Sequence, residues 1–404
     1  VTLVVAGASL AGLRAVESAR RHGYRGRIVL IGAEEHPPYD RPPLSKSFLA
    51  PHTPARVVPF RSAAELREDL GVDLLLGAPA TGLDTGARTV RVGERTIRYD
   101  ALVIATGATP RRLRGADGLA GVHTLRTAED ALAVRAALDR GARTVVVGAG
   151  FIGSEVASAA RARGLPVTIV EALDLPLTRS IGPQAGTVCA DLHRAAGTGL
   201  RLSTAVEGLE SAGGAVTGVR LATGEVLPAD LVVAGIGVTP ATGWLEGSGV
   251  TLHERDRGVV CDATLATGAP GVYAAGDVAH VANPLFGGEL MRLEHWTGAA
   301  EQGAAAARHA LDPAAARPLA PVPYFWSDWY GHRIQFVGAP HADEVLVAVP
   351  AEAGFTALYR RGDRITGALT VDRPREIMKY RRLIAAAAPW PDAVAFAATT
   401  RAAA

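Results

Sequence analysis

Thr2-Leu-Val-Val-Ala-Gly-Ala-Ser-Leu-Ala-Gly12 and Arg143-Thr-Val-Val-Val-Gly-Ala-Gly-Phe-Ile-Gly153 share one pattern. In each, an apolar run of the buried-strand type leads into a glycine turn that opens a helix. The helix runs to about His22 in the first copy and to about Arg163 in the second. A second strand follows, Arg27–Ile31 and Pro166–Val170, and an acid closes each copy, Glu34 and Glu171. Strand, glycine turn, helix, strand and acid make a dinucleotide-binding βαβ unit: the glycines admit the pyrophosphate to a helix N-terminus, and the acid accepts from ribose hydroxyls. The second copy is complete in Gly148, Gly150 and Gly153. The first has Ser9 between Gly7 and Gly12, a small residue that permits close phosphate approach less freely than glycine. If the glycines served only tight strand–helix turns, the paired acids would be unexplained.

The rest of the composition narrows the chemistry. At 404 residues the chain is long enough for two to four domains, and 48% hydrophobic with 20% charged residues excludes a disordered or fibrous protein. The balance of 42 basic against 40 acidic residues is too even for a general nucleic-acid binder. No apolar run reaches the roughly 18–20 residues of a membrane span. The strand-like start at Val1 is expected to leave no room for a signal peptide, so a soluble, cytoplasmic protein without membrane or nucleic-acid partners is expected. Cys189 and Cys261 form neither a disulfide framework nor a CxxC dithiol, and no metal site is expected; redox work must fall to a bound cofactor. Lys46 and Lys379 are the two lysines among 42 basic residues, positions where a compact ammonium is kept over a guanidinium fork.

Two dinucleotide sites in one chain let one hold FAD and the other a nicotinamide cofactor, with hydride passing between them. Glu171 favours NADH, because a 2′-phosphate would be repelled there. Arg179, eight residues on, leaves some use of NADPH open. Two later segments, Ala101–Pro110 and Thr267–Asp277, resemble the ATG and GD motifs of two-dinucleotide-domain flavoproteins. Gly276 would let the backbone approach the flavin and Asp277 would accept from the ribityl chain; Asp277 also reads as a helix N-cap. Because the second motif lies beyond the second βαβ unit, the nucleotide domain is expected as an insertion: residues 1–110 and 232–312 for FAD, 111–231 for NAD. After the proline-rich stretch Asp312–Pro323, strands Arg333–Val337, Glu344–Val349, Phe355–Arg360 and Arg364–Val371 and the helix Pro374–Ala388 are expected to form an α+β module over 313–404. The fold class is α/β: two Rossmann-like domains of the glutathione-reductase-like kind plus this interface module.

Tyr39-Asp-Arg-Pro-Pro-Leu-Ser-Lys46, Leu293-Glu-His-Trp296 and Phe325-Trp-Ser-Asp328 sharpen the reading. With the glycine motifs, they make the chain resemble, over essentially its whole length, the NADH-dependent ferredoxin reductases of cytochrome P450 and Rieske oxygenase systems, the putidaredoxin reductase-like family. A helix is expected to begin near Leu44. The resemblance implies that Lys46 sits by flavin N5, paired with Glu155 at the start of the nucleotide helix, where a cation favours hydride transfer. For the flavin it further implies Gly7, Ser9, Leu10, Ala11, Gly12 and Glu34, then Ala80 and the Ala105-Thr106-Gly107 turn, then Arg126. Arg41 reads equally as a second cation near the flavin or as a scaffold for the proline turn. Gly276, Asp277, Glu294, His295 and Trp296 complete the flavin set, Trp296 packing on the pyrimidine edge. For the nicotinamide cofactor it implies Gly148, Gly150, Phe151, Ile152, Gly153, Glu155, Glu171, Arg179 and Gly237. Trp326 and Trp329 read either as flavin-side surface or as core.

The partner implied is an acidic ferredoxin, which a basic rim would steer. Residues 355–404 hold nine basic residues (Arg360, Arg361, Arg364, Arg373, Arg375, Lys379, Arg381, Arg382, Arg401) against four acids, and Arg111, Arg112 and Arg114 form a second cluster. Such runs are also the ordinary composition of a solvated face. The absence of a cysteine after the Pro-Pro-Leu-Ser-Lys segment sets the chain apart from disulfide reductases and from NADH oxidases and peroxidases. A redox-gated binding protein like apoptosis-inducing factor is the reading from a different class.

Overall fold

The structure, a computed structural model, describes residues 1–351 and 354–401, with side chains through Thr399. Its contacts divide the chain into two compact units. The first gathers Val1–Asp40, Val57–Thr109 and Thr239–Pro323. Its centre is a five-stranded parallel sheet in the order Val272–Ala274, Ala101–Ile104, Thr2–Ala6, Arg27–Ile31, Val72–Leu75. Strands buried on both faces need continuous apolar runs, as in Leu3–Ala6 and Leu102–Ile104. The helices Leu10–Arg21 and Trp296–Leu311 lie against each other through small residues. A methyl group at Gly303 would stand 2.1 Å from the Ala11 carbonyl oxygen, so backbone meets backbone there.

The second unit gathers Arg41–Arg56, Pro110–Val238 and the chain from Tyr324 onward. It repeats the plan: a parallel sheet in the order Gly199–Arg201, Val167–Val170, Thr144–Val147, Leu231–Ala234, Val122–His123, with the helix Phe151–Arg161 after the glycine turn. From Tyr324 an antiparallel sheet runs in the order Tyr324–Trp329, His332–Gly338, Arg364–Val371, Phe355–Arg361, Glu344–Val349. One core joins Trp329, Phe336 and Tyr359 of that sheet to Ile181 and Cys189 of the helix Thr178–Ala195.

Several local expectations need correction. No α-helix begins near Leu44; Pro42–Ser45 is one 3₁₀ turn, ended by Lys46, whose backbone at φ −113°, ψ −102° is not helical. Asp277 caps no helix: it lies in the turn before the strand Ala279–Asn283. Tyr324–Trp329, read only as a motif, is the edge strand of the C-terminal sheet. The helix Pro374–Ala388 ends at Ala385, and a second helix, Trp390–Arg401, follows. Among the described residues, no helix is long and apolar enough to cross a membrane.

Candidate active site

In the first unit the turn after Thr2–Ala6 is closed from beneath: the Gly7 N–H donates to the Ile31 carbonyl at 2.8 Å. Gly7 adopts φ +124°, and a methyl group there would lie 2.0 Å from the Ala105 carbonyl oxygen. Ser9 stands at the N-cap of Leu10–Arg21, whose first turn, with the buried Leu10, Ala11 and Gly12, carries no acid to offset the helix's positive N-terminal end, an arrangement that suits an anion. Glu34 accepts the Tyr39 hydroxyl at 2.5 Å. The Ala105-Thr106-Gly107 turn is pinned by Thr106 Oγ1 donating to the Ala241 carbonyl at 2.8 Å. Ala80 opens the strand Ala80–Asp84.

Around the GD turn the structure supplies two residues that the sequence reading missed. Gln302, buried on Trp296–Leu311, accepts the Gly276 N–H at 2.8 Å. Arg292 donates to the Asp277 carbonyl at 3.2 Å and pairs with Glu294 and Asp256, each at 2.8 Å. An isolated glutamine in an alanine-rich helix is a signal for the first; nothing in the local sequence sets Arg292 apart from the chain's many other arginines. Trp296 donates its indole N–H to Asp40 at 2.8 Å. Burial pushes His295 down to about 4, against the opposing pull of Asp277, so the imidazole is neutral at pH 7.

One group of metal-capable side chains occurs among the described residues: His253, Asp256 and His280. Its geometry opposes a common ion. The two imidazoles stack 4.1 Å apart at 13°, so their in-plane lone pairs point into separate parallel planes, and Arg292 already holds the carboxylate. Burial alone would raise the Asp256 pKa; the Gly258 N–H, His280 and Arg292 outweigh it and hold it at about 2.

In the second unit, methyl groups at Gly148 and Gly153 would lie 2.4 Å from the Gly235 and 2.3 Å from the Gly148 carbonyl oxygens, so both glycines serve the protein's own packing. Gly150 differs: the nearest atom to a methyl there is the Gly235 oxygen at 3.5 Å, and its φ is an ordinary −78°. Neither packing nor backbone requires glycine at 150. A glycine there leaves the face of the turn open, and an open glycine turn at a helix N-terminus fits a pyrophosphate. Glu171 accepts the Ala149 N–H at 2.8 Å and the Leu173 N–H at 2.9 Å. Gly237, at φ +93°, faces open space. Phe151 packs on Phe325 at 4.6 Å, Ile152 is 39% exposed, and Arg179 stands exposed in the first turn of Thr178–Ala195.

The segment Arg41–Arg56 carries the remaining candidates. Arg41 donates to the Arg126 carbonyl at 2.6 Å, bringing these two together. Arg135 donates to the carbonyls of Phe48 and Thr53 at 2.6 and 2.5 Å, so the loop beyond Lys46 is held by its backbone. Lys46 Nζ pairs with Glu155 Oε1 at 2.8 Å; Glu155 is 2% exposed and also accepts the hydroxyls of Ser45 and Ser327. A buried carboxylate facing three donors is fully satisfied, which an isolated buried charge would not be.

Comparison with known proteins covers nearly the whole chain. Residues 1–303 match the pyridine nucleotide-disulphide oxidoreductase family and residues 324–402 the reductase C-terminal family. Rhodocoxin reductase of Rhodococcus erythropolis is 36% identical over 394 residues, 96% of this chain and 90% of that protein. The biphenyl dioxygenase system ferredoxin–NAD(+) reductase component of Paraburkholderia xenovorans is 38% identical over 391 residues, 95% and 93% of the two chains. Among solved structures, a covalent putidaredoxin reductase–putidaredoxin complex superposes with a TM-score of 0.91 at 32% identity, covering 97% of this chain and 95% of that one.

Proposed function

Because the chain belongs to the pyridine nucleotide-disulphide oxidoreductase family, among its ferredoxin–NAD(+) reductases, we propose that it reduces an acidic iron–sulfur ferredoxin at the expense of NADH. The ferredoxin in turn feeds a cytochrome P450 or a Rieske oxygenase. When bound, non-covalent FAD and NADH supply hydride transfer in and single electrons out. The observation that carries the reading is the pair of dinucleotide cradles in one chain with no reactive thiol. Cys189 and Cys261 are both buried, and desolvation holds each thiol up at about 12, the Asp262 charge adding to it at Cys261. That chemistry argues against a peroxidase or disulfide reductase.

The residues divide the work. Residues 1–110 and 232–312 are proposed to hold the flavin. There the Gly7–Gly12 turn receives the pyrophosphate, Glu34 the ribose, and Trp296, oriented by Asp40, the ring edge. Residues 111–231 are proposed to hold NADH, with Gly150 under its pyrophosphate and Glu171 on its ribose hydroxyls. Lys46 presents an ammonium to the flavin's N5, held there by Glu155; Arg41 and Arg126 brace the same segment. The C-terminal module, 313–404, is proposed to meet the ferredoxin through its basic face. Arg360 and Arg373 pair with Glu344 and Glu376; Arg381 and Arg382, adjacent on the helix Pro374–Ala385, are the two to reverse, and the side chain of Arg401 lies outside the described residues. A cytoplasmic location, where NADH is made, belongs to the same proposal.

The test is NADH-driven cytochrome c reduction with and without an added [2Fe–2S] ferredoxin. The proposal expects activity that needs the ferredoxin and falls steeply with salt. In the double variant Arg381→Glu/Arg382→Glu it expects slow ferredoxin reduction at low salt with dye reduction intact. A rate indifferent to ferredoxin would overturn the function, and an unchanged double variant would overturn the docking face.

A further inference from the structure

We propose that Ser327 and Trp329, neighbours on the edge strand Tyr324–Trp329, are positioning residues for the Lys46–Glu155 pair; this rests on the hydride-transfer role given to that pair above. Glu155 Oε1 carries two donors, the Lys46 ammonium and the Ser327 hydroxyl, while Oε2 takes the Ser45 hydroxyl. A serine hydroxyl has one proton and rotates freely, so by itself it could accept as readily as donate. At Ser327 that freedom is removed. The Trp329 indole N–H, which can only donate, reaches Ser327 Oγ at 2.7 Å. Ser327 is therefore the acceptor toward Trp329, and its own proton is directed to Glu155. The chain of donors runs one way: indole, hydroxyl, carboxylate.

The indole is itself immobile. Trp329 is wholly buried, and its ring stacks on His193 at 5.0 Å and 23°. His193 is held at both nitrogens, by Tyr330 OH at 2.8 Å and by Ser154 Oγ at 3.2 Å. Ser154 precedes Glu155 on the helix Phe151–Arg161, and the Tyr330 N–H donates to Ser158 Oγ on that helix at 2.8 Å. The strand and the helix are thus latched on both sides of Glu155, and Ser327 is the one latch that touches the carboxylate. With Ser327 and Ser45 on different oxygens, the carboxylate plane is fixed and the ammonium of Lys46 has one place to sit. Without Ser327, Oε1 keeps only Lys46, and the pair is free to turn about the Ser45 contact.

Two lysines in the chain make this directly observable. In holoenzyme labelled with ¹⁵N at lysine Nζ, Lys46 gives a sharp ammonium signal, assigned by its loss in Lys46→Arg, while the exposed Lys379 is broadened by exchange. Ser327→Ala and Trp329→Phe are expected to broaden the Lys46 signal, and Ser327→Thr to restore it. In rapid mixing with NADH, Ser327→Ala should lower the limiting rate of flavin reduction about tenfold, the scale of a misplaced orienting group, with the half-saturating NADH concentration unchanged. A sharp, unshifted Lys46 signal with a wild-type limiting rate in Ser327→Ala would overturn the proposal. Glu155→Gln separates the two claims: undiminished reduction by NADH in that variant removes the role of the pair, whereas the Lys46 signal still decides whether Ser327 positions it.

Discussion

Glu171 accepts the backbone N–H of Ala149 at 2.8 Å, tying the acid at the end of one strand to the middle of the glycine turn at the end of its neighbour. The carboxylate thereby stands where the ribose of a dinucleotide on that turn would arrive, its negative charge set against a 2′-phosphate. Glu171→Ala combined with Ala172→Arg should lower the ratio of kcat/KM for NADH over NADPH about tenfold or more, at least about 1.4 kcal/mol of transition-state binding. Steady-state rates with both cofactors check this. An intact NADH preference would remove Glu171 from the specificity site.

Gly150 and Gly148 make contrasting predictions from one turn. A methyl group at Gly150 meets no protein atom closer than 3.5 Å, whereas at Gly148 it would sit 2.4 Å from a carbonyl oxygen at φ +99°. Gly150→Ala should leave the melting temperature of the nucleotide-free holoenzyme within about 1 °C, since strain-free surface changes stay within about 0.5 kcal/mol, yet weaken NAD⁺ binding. Gly148→Ala should destabilise the fold itself. Thermal scans and calorimetric titration distinguish the two; normal NAD⁺ affinity in Gly150→Ala would contradict the cradle.

Gln302 anchors the turn that ends in Asp277 through the Gly276 N–H at 2.8 Å. Gln302→Leu leaves a buried donor unpaired, a cost of about 1–3 kcal/mol, in the turn proposed to face the flavin. The expected result is a lower melting temperature and faster loss of flavin on dialysis, with Gln302→Glu poorer still, because a carboxylate would be buried without a counterion. Unchanged flavin retention in Gln302→Leu would confine Gln302 to packing.

Why some of this was legible beforehand is a matter of range. Gly7–Gly12 with Glu34, and Gly148–Gly153 with Glu171, are local: each motif's residues lie within one βαβ unit, so spacing alone carries the geometry. Lys46 with Glu155, and Trp296 with Asp40, join distant segments, and only the family resemblance brought the first pair together. Ser327 has no role in the sequence beyond its place in the Phe325–Asp328 motif, because a hydroxyl's partner depends on which strand is laid beside which helix; of the two readings of Trp329, flavin-side surface or core, the structure shows the core. The helix expected at Leu44 stops after one 3₁₀ turn at the non-helical backbone of Lys46, and the Gly276-Asp277 turn leads into a strand, so a capping reading of the acid failed there.

His193 gives the acid stability profile a named source. Burial against Trp329 lowers it from the ordinary 6.5 to about 4. Because the folded value lies below the unfolded one, the unfolded chain binds the extra proton first as pH falls. Stability from this group is therefore complete above about pH 6.5 and is lost between 6.5 and 4, up to about 3 kcal/mol. His193→Gln, which keeps a neutral donor and acceptor, should flatten the fall in melting temperature between pH 7 and pH 4.5 relative to wild type. Parallel curves for the two proteins would contradict this.

The central claim is that one chain binds a flavin and a nicotinamide cofactor and moves electrons between them to an iron–sulfur partner. Its most direct test is an anaerobic titration of the purified protein with NADH, followed by absorption, with oxidised [2Fe–2S] ferredoxin added at the end. The prediction is a yellow protein whose flavin band bleaches at about one equivalent of NADH and returns when ferredoxin is added. A colourless protein that takes up no FAD, or a yellow one whose band NADH leaves untouched, would contradict it.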